Sequence, residues 1–214
     1  MALLASLFGV SVTNIDAAND AKLATRVARF QQTLAENGYQ WEEGTVLLWD
    51  FNRLYCEGGL DSAYYPNAKA PYFTAVWLET NSPNFTLGAD EAMVAIGLTP
   101  PPMAYFSFNV HMSFRYIESK GTNELIWAPV GDPINRLTIH TTGPTPFDQP
   151  VVFMGAGHHG MESAMRAALH TAGIPEAMIN TQVIARAMFR LGHDPKADRF
   201  ALAIRTAQIE KGYE

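Results

Sequence analysis

The chain has 214 residues, 48% of them hydrophobic and 17% charged, which supplies ample apolar material for a core and excludes disorder by composition. A net charge of −6 without any cluster of Lys and Arg argues against a surface built to grip nucleic-acid phosphates and leaves small molecules as the expected ligands. The one cysteine, Cys56, excludes an intrachain disulfide and a cysteine-based metal cage, and favours a cytoplasmic over a secreted setting.

Residues 1–12 are apolar but have no basic n-region and no cleavage signal, and they are too short to span a bilayer. A buried strand or helix is expected there. Over 19–36, Leu23, Val27, Phe30 and Leu34 recur at helical spacing, with Asn19 or Asp20 as the cap and Asn37-Gly38 as the stop. Cys56 lies in Tyr55-Cys56-Glu57-Gly58-Gly59, where a Cys–His nucleophile is chemically open and a small buried hydrophobe is the plainer reading. Tyr55, Tyr64, Tyr65, Tyr72 and Phe73 crowd one region that could stack a ring or sugar, or simply pack.

From 45 to 142 the pattern changes to short extended runs at 45–51, 72–79, 92–97, 104–116, 124–128 and 136–141, separated by Gly- and Pro-rich turns. Hairpin-length gaps predict a largely antiparallel sheet. Asn84-Phe85-Thr86 inside this region is a glycosylation triplet, a pattern that also arises by chance. After a Thr-, Gly- and Pro-rich boundary at 141–149, the chain alternates: strand 150–155, helix 160–172 ended by Gly173, strand 179–184, a short helix around 185–191 and strand 200–207. The expected class is α+β. It comprises a helix plus β-rich region over 1–142 and a layered βαβ(αβ) unit over 150–214, the two packing together as one domain or standing as two. The last residues show no terminal element, which fits a longer parent polypeptide.

The run 104–116 carries the first chemical signal. Period-two alternation puts Phe106, Phe108, Val110, Met112 and Phe114 on one face and Ser107, Asn109, His111, Ser113 and Arg115 on the other. The second face either meets solvent or lines a cleft for an anionic or ester-like substrate, with Asn109, Ser113 and Arg115 as binding groups. The run 136–141 repeats the pattern, with Leu137 and Ile139 inward and Thr138 and His140 outward. If it lies beside 104–116, His111 and His140 meet and form half of a metal site.

Residues 155–160 read Gly-Ala-Gly-His-His-Gly between a strand and a helix. As G-x-G-x-x-G, with Gly155, Gly157 and Gly160 admitting a pyrophosphate and Arg186 meeting a 2′-phosphate, the turn suits NADP. As His159-x-x-Glu162, with His158 four residues before Glu162, it offers an imidazole and a carboxylate on one helical face to a divalent metal. His111, His140 or His170 would complete that set, and an open position would activate water. Glu162 near a helix start is equally explained by the helix dipole. Ser163 is not on a Gly-x-Ser-x-Gly elbow, and the 193–198 segment, His-Asp-Pro-Lys-Ala-Asp, reads as a polar connection.

Three functions follow. The first is a hydrolase or lyase acting on a small molecule, with His111, His140 and Glu162 in catalysis, His111, His140, His159 and Glu162 on the metal, and His158 and Arg115 in binding. The second is an NADP-binding protein. The third is a non-catalytic module that binds a partner chain or forms an oligomer.

Overall fold

The structure, a computed structural model, describes residues 3–6, 17–48, 51–58 and 72–209. It is α+β, as the periodicities predict, and most of the strand pairings are antiparallel. In chain order the elements are β1 (Leu3–Ser6), α1 (Ala17–Glu36), β2 (Glu43–Leu48), α2 (Phe51–Cys56), β3 (Tyr72–Trp77), β4 (Ala92–Leu98), β5 (Met103–Ile117), β6 (Thr122–Pro129), β7 (Ile134–Asn135), β8 (Pro150–Ala156), α3 (His159–Thr171), β9 (Ile179–Val183) and β10 (Arg199–Ile209). One sheet runs β6-β5-β10-β3-β2-β1-β4-β8-β9, with β7 on the free part of β5. β10 therefore lies between β5 and β3, so strands from both sides of the 141–149 segment share the sheet. β8, α3 and β9 form the expected βαβ unit, with β8 and β9 parallel.

The core has two layers. On β4 and β8, Met93, Ala95, Val151 and Phe153 face an interior shared with Phe106, Phe108 and Val110 of β5 and Leu202 and Ile204 of β10. Alternate residues Ala92, Val94, Ile96, Val152 and Met154 face the helices. There they meet Leu23, Val27, Phe30 and Leu34 of α1 and Met161, Met165 and Leu169 of α3. Burial on both faces explains why β4 and β8 read as continuous apolar runs. The α1 stripe packs as its spacing demands, but the helix begins at Ala17, which places Asn19 and Asp20 in its first turn rather than at the cap. No helix among the described residues is long and apolar enough to cross a membrane.

The sheet curls until its far ends meet. β9 is the last strand in the order and β5 the second, yet Gln182 of β9 reaches across the gap. Its Oε1 accepts from Val110 N–H at 2.8 Å, and its Nε2 donates to Asn109 Oδ1 at 2.8 Å and to the Asp132 carbonyl at 2.7 Å. Val110 falls between the stretches of β5 paired to β7 (Ser107, Phe108) and to β6 (from His111), so its amide has no strand partner on that edge. A buried amide must be paired, and a side chain from the opposite end of the sheet does it.

Several local expectations change. The 45–51 run splits into β2 and the short α2, and Cys56 at the end of α2 is exposed. Tyr64 and Tyr65 lie outside the described residues. The 185–191 helix is a single turn, with Met188 and Phe189 N–H bonded to the Ala185 carbonyl. The 136–141 strand is absent: only Ile134 and Asn135 pair with β5. Asn135 ends it, because its Oδ1 accepts from Leu137 N–H at 2.8 Å and its carbonyl accepts from Thr138 and Ile139 N–H. An Asx turn thus replaces the ladder, and Leu137, expected inside, is 82% exposed.

Replacing Gln182 with Ala leaves the Val110 N–H, the Asn109 side-chain oxygen and the Asp132 carbonyl without their partner. Unfolding in urea is expected to show a loss of about 3 kcal/mol, given roughly 1–3 kcal/mol for each buried group left unpaired.

Candidate active site

The polar face of β5 is neither solvated nor a cleft. Ser107, Asn109 and Ser113 are buried and Arg115 is half-buried. Asn109 pairs with Gln182, and its Nδ2 donates to the Gly131 carbonyl at 3.3 Å. Ser113 sits at a bulge, where the register against β10 shifts, and donates to the Arg199 carbonyl at 3.0 Å. Beyond the bulge the alternation is reset. Phe114 is half-buried and outside the interior cluster, while Arg115 lies over the Phe189 ring and grips Asp198. The hydrogen bonds of these residues hold the fold together.

The expected metal set is not brought together. His111, opposite Pro129 of β6, stacks on Trp127 with ring centroids 5.1 Å apart and planes 18° apart. Trp127 adopts φ 53°, an uncommon conformation for a bulky residue. Burial there pushes the His111 imidazole below its ordinary pKa, against a weaker opposing bond to the Asn109 carbonyl. His140 lies past the Asn135 turn rather than on a strand beside His111. His159 is exposed at the start of α3. Glu162 is engaged by Arg166, whose Nε donates to it at 2.8 Å, and Arg166 also binds Glu176 and Thr181. The same guanidinium holds the Glu176 carboxyl below its ordinary range, and His170 pairs with Glu176 rather than facing the sheet. Among the described residues no group of three or more His, Cys, Asp or Glu could hold a metal ion.

The glycines of the 155–160 turn serve packing. A Cβ on Gly157 would lie 2.5 Å from the carbonyl oxygens of Gly88 and Ala89, and one on Gly155 would lie 2.9 Å from Val110 Cγ2. The backbone of Gly88 and Ala89 therefore packs directly on Gly157. The helix amides are spoken for as well. His158 caps α3, its Nδ1 accepting from Gly160 N–H at 2.8 Å and from Met161 N–H at 3.2 Å. With Nδ1 an acceptor, Nε2 carries the proton and donates to Asp90 Oδ1 at 3.0 Å. Arg186 is exposed on the turn after β9.

A different set does converge, where the 85–91 loop meets the 189–198 loop. Backbone bonds tie the two together: Phe85 and Phe200 exchange N–H bonds of 2.9 and 2.7 Å, and Gly192 N–H reaches the Leu87 carbonyl at 2.9 Å. Between them runs a relay. The Thr86 hydroxyl lies 2.7 Å from His193 Nδ1, and His193 Nε2 lies 2.9 Å from Glu91 Oε1. The other Glu91 oxygen accepts from Gly88 N–H at 2.7 Å. The Glu91 side chain is 8% exposed, while His193 is 54% exposed. A carboxylate anchored in the wall thus orients a ring that opens to solvent. With Glu91 ionised, Nε2 must donate to it, which leaves Nδ1 as the acceptor for the Thr86 hydroxyl.

The 189–198 loop is held from behind by Asp198, fully buried. Its carboxylate receives the Arg115 guanidinium through two bonds, the Nε one at 2.9 Å, and the Arg190 N–H at 2.9 Å. Arg115 also donates to the Met188 carbonyl at 2.7 Å. The bidentate pair fixes the backbone on both sides of His193. No family model matches the chain, and no curated protein or solved structure matches it.

Asp198→Asn, which weakens a buried charge pair and mismatches three donors, is expected to lower stability by about 3 kcal/mol in chemical denaturation. The unfolded His111 takes a proton below about pH 6.5, whereas the folded ring resists it, so stability attributable to this group is full above that pH and declines as pH falls through it. His111→Phe, which keeps an aromatic partner for Trp127, is expected to lose less stability than the native chain between pH 7.5 and 5.5, read as the shift in urea midpoint.

Proposed function

We propose that the chain is a hydrolase of acyl substrates, with Thr86 as nucleophile, His193 as general base and Glu91 as the group that orients the ring. The observation that carries this reading is the unbroken relay of 2.7 and 2.9 Å from a hydroxyl through an imidazole to a buried carboxylate. Such an order of groups is what activation of a weak oxygen nucleophile needs.

The steps follow from the relay. Thr86 Oγ1 forms a bond to the acyl carbon as its proton passes to His193 Nδ1, and Glu91 stabilises the imidazolium that results. The tetrahedral species collapses, the bond to the leaving group breaks, and that group takes the proton from Nδ1. A water then attacks the Thr86 ester, giving its proton to Nδ1. Collapse releases the acid and returns that proton to Thr86 Oγ1. Glu91 stays on the ring throughout, its second oxygen held by the Gly88 amide, and the ring cannot rotate away without losing both partners.

No residue of the metal set His111, His140, His159 and Glu162 takes part in this relay. Hydrolysis of p-nitrophenyl acetate by the full chain tests it. Release above background is expected, falling by about 100-fold or more in His193→Ala and Thr86→Ala and by less in Glu91→Gln, with Thr86→Ser retaining turnover. Mass spectrometry should find one acetyl group on the peptide containing Thr86. Equal rates in the native chain and His193→Ala would sink the proposal.

A further inference from the structure

We infer that the open cavity bounded by residues 136–146 and Ala177 binds a small organic anion, a carboxylate or a phosphate monoester, between the Arg136 guanidinium and the His140 ring. The cavity measures about 430 Å³, within the range of small-ligand sites. Arg136 and His140 line it together with Thr141 and the apolar Ile139 and Pro144, and none of its lining residues is Asp or Glu. The acids that elsewhere neutralise Arg115 and Arg166 have no counterpart here. Among the described residues, neither the Arg136 guanidinium nor the His140 ring is engaged in a hydrogen bond or ion pair.

The site is built rather than draped. Buried Asn180 of β9 clamps the His140 backbone from both sides, accepting its N–H at 2.7 Å and donating to its carbonyl at 2.9 Å. Arg136 is fixed by its N–H to the Phe106 carbonyl at 3.3 Å and by the Asn135 turn. Thr141 donates to the Thr145 carbonyl at 3.3 Å, closing the far wall. A planar fork and an imidazole on a held backbone form a cradle for an oxyanion, with Ile139 and Pro144 beside it for the ligand's carbon. The cavity lies toward the Pro150 end of β8, whereas Glu91 and His158 lie at its Ala156 end, and a seven-residue strand spans about 20 Å. The inference therefore stands apart from the hydrolytic reading.

Titration of the full chain at constant ionic strength with inorganic phosphate and, separately, with benzoate tests it, read through the His140 ring resonances by NMR. A saturable shift at millimolar concentration is expected with at least one of them. Arg136→Gln should weaken it about tenfold while the His158 and His193 resonances stay in place. Saturation by phosphate alone assigns a phosphate monoester, by benzoate alone a carboxylate. If the glutamine variant fails to fold, Arg136→Lys, which keeps the charge and loses the fork, takes its place with the same expected weakening. A response that never saturates with either anion, or one equally strong in the Arg136 variant, overturns the site.

Discussion

Gln182 carries the structural problem of this fold. A sheet that curls on itself without closing must satisfy backbone groups where its ends approach, or leave them buried and unpaired. Here the ends are joined by one side-chain amide that meets the Val110 N–H, the Asn109 side chain and the Asp132 carbonyl at once. Asn180, two residues earlier on the same strand, does the same for His140. Two amides on one edge strand thus replace a run of ladder bonds. Because they join the ends, β5, β8 and β10 can share an interior, while the outer faces of β4 and β8 are left to α1 and α3.

The Thr86–His193–Glu91 relay depends on that arrangement at one remove. Glu91 stands just before β4, and its backbone carbonyl accepts from Gly157 N–H just after β8, so the carboxylate is anchored at the paired ends of two central strands. Thr86 and His193 ride on loops bonded to each other and to β10 through Phe85 and Phe200. Asp198 then locks the His193 loop to the bulged part of β5 through Arg115. Each group of the relay is tied to the sheet by hydrogen bonds of its own segment, which a relay of short bonds requires.

Much of this fold was legible in the sequence, because packing imposes periods. The α1 stripe, the two-sided β4 and β8 and the inward residues of β5 as far as Met112 are all visible as spacing. The 136–141 run carries the same alternation yet forms a turn, since the Asn135 side chain offers local bonds that compete with the ladder. Bulges cannot be read from alternation, so the reset at Ser113 and the role of Arg115 were hidden. The Gly-Ala-Gly-His-His-Gly turn looked like a ligand loop because close approach of backbone needs glycine whether the neighbour is a phosphate or another loop. The relay was not legible at all: Thr86, Glu91 and His193 share no local spacing, and the 193–198 segment looks like an ordinary polar connection. Only the fold brings its histidine to a buried carboxylate 102 residues away.

Thr86 has one more consequence. It is the third residue of Asn84-Phe85-Thr86, the triplet that oligosaccharide transfer requires. Sugar attached to Asn84 would sit two residues from the hydroxyl that meets His193, on a loop stitched to β10. A host that exports the protein through a glycosylating compartment would therefore deliver a chain with a bulky carbohydrate beside the Thr86–His193 contact, whereas a host without that machinery would not.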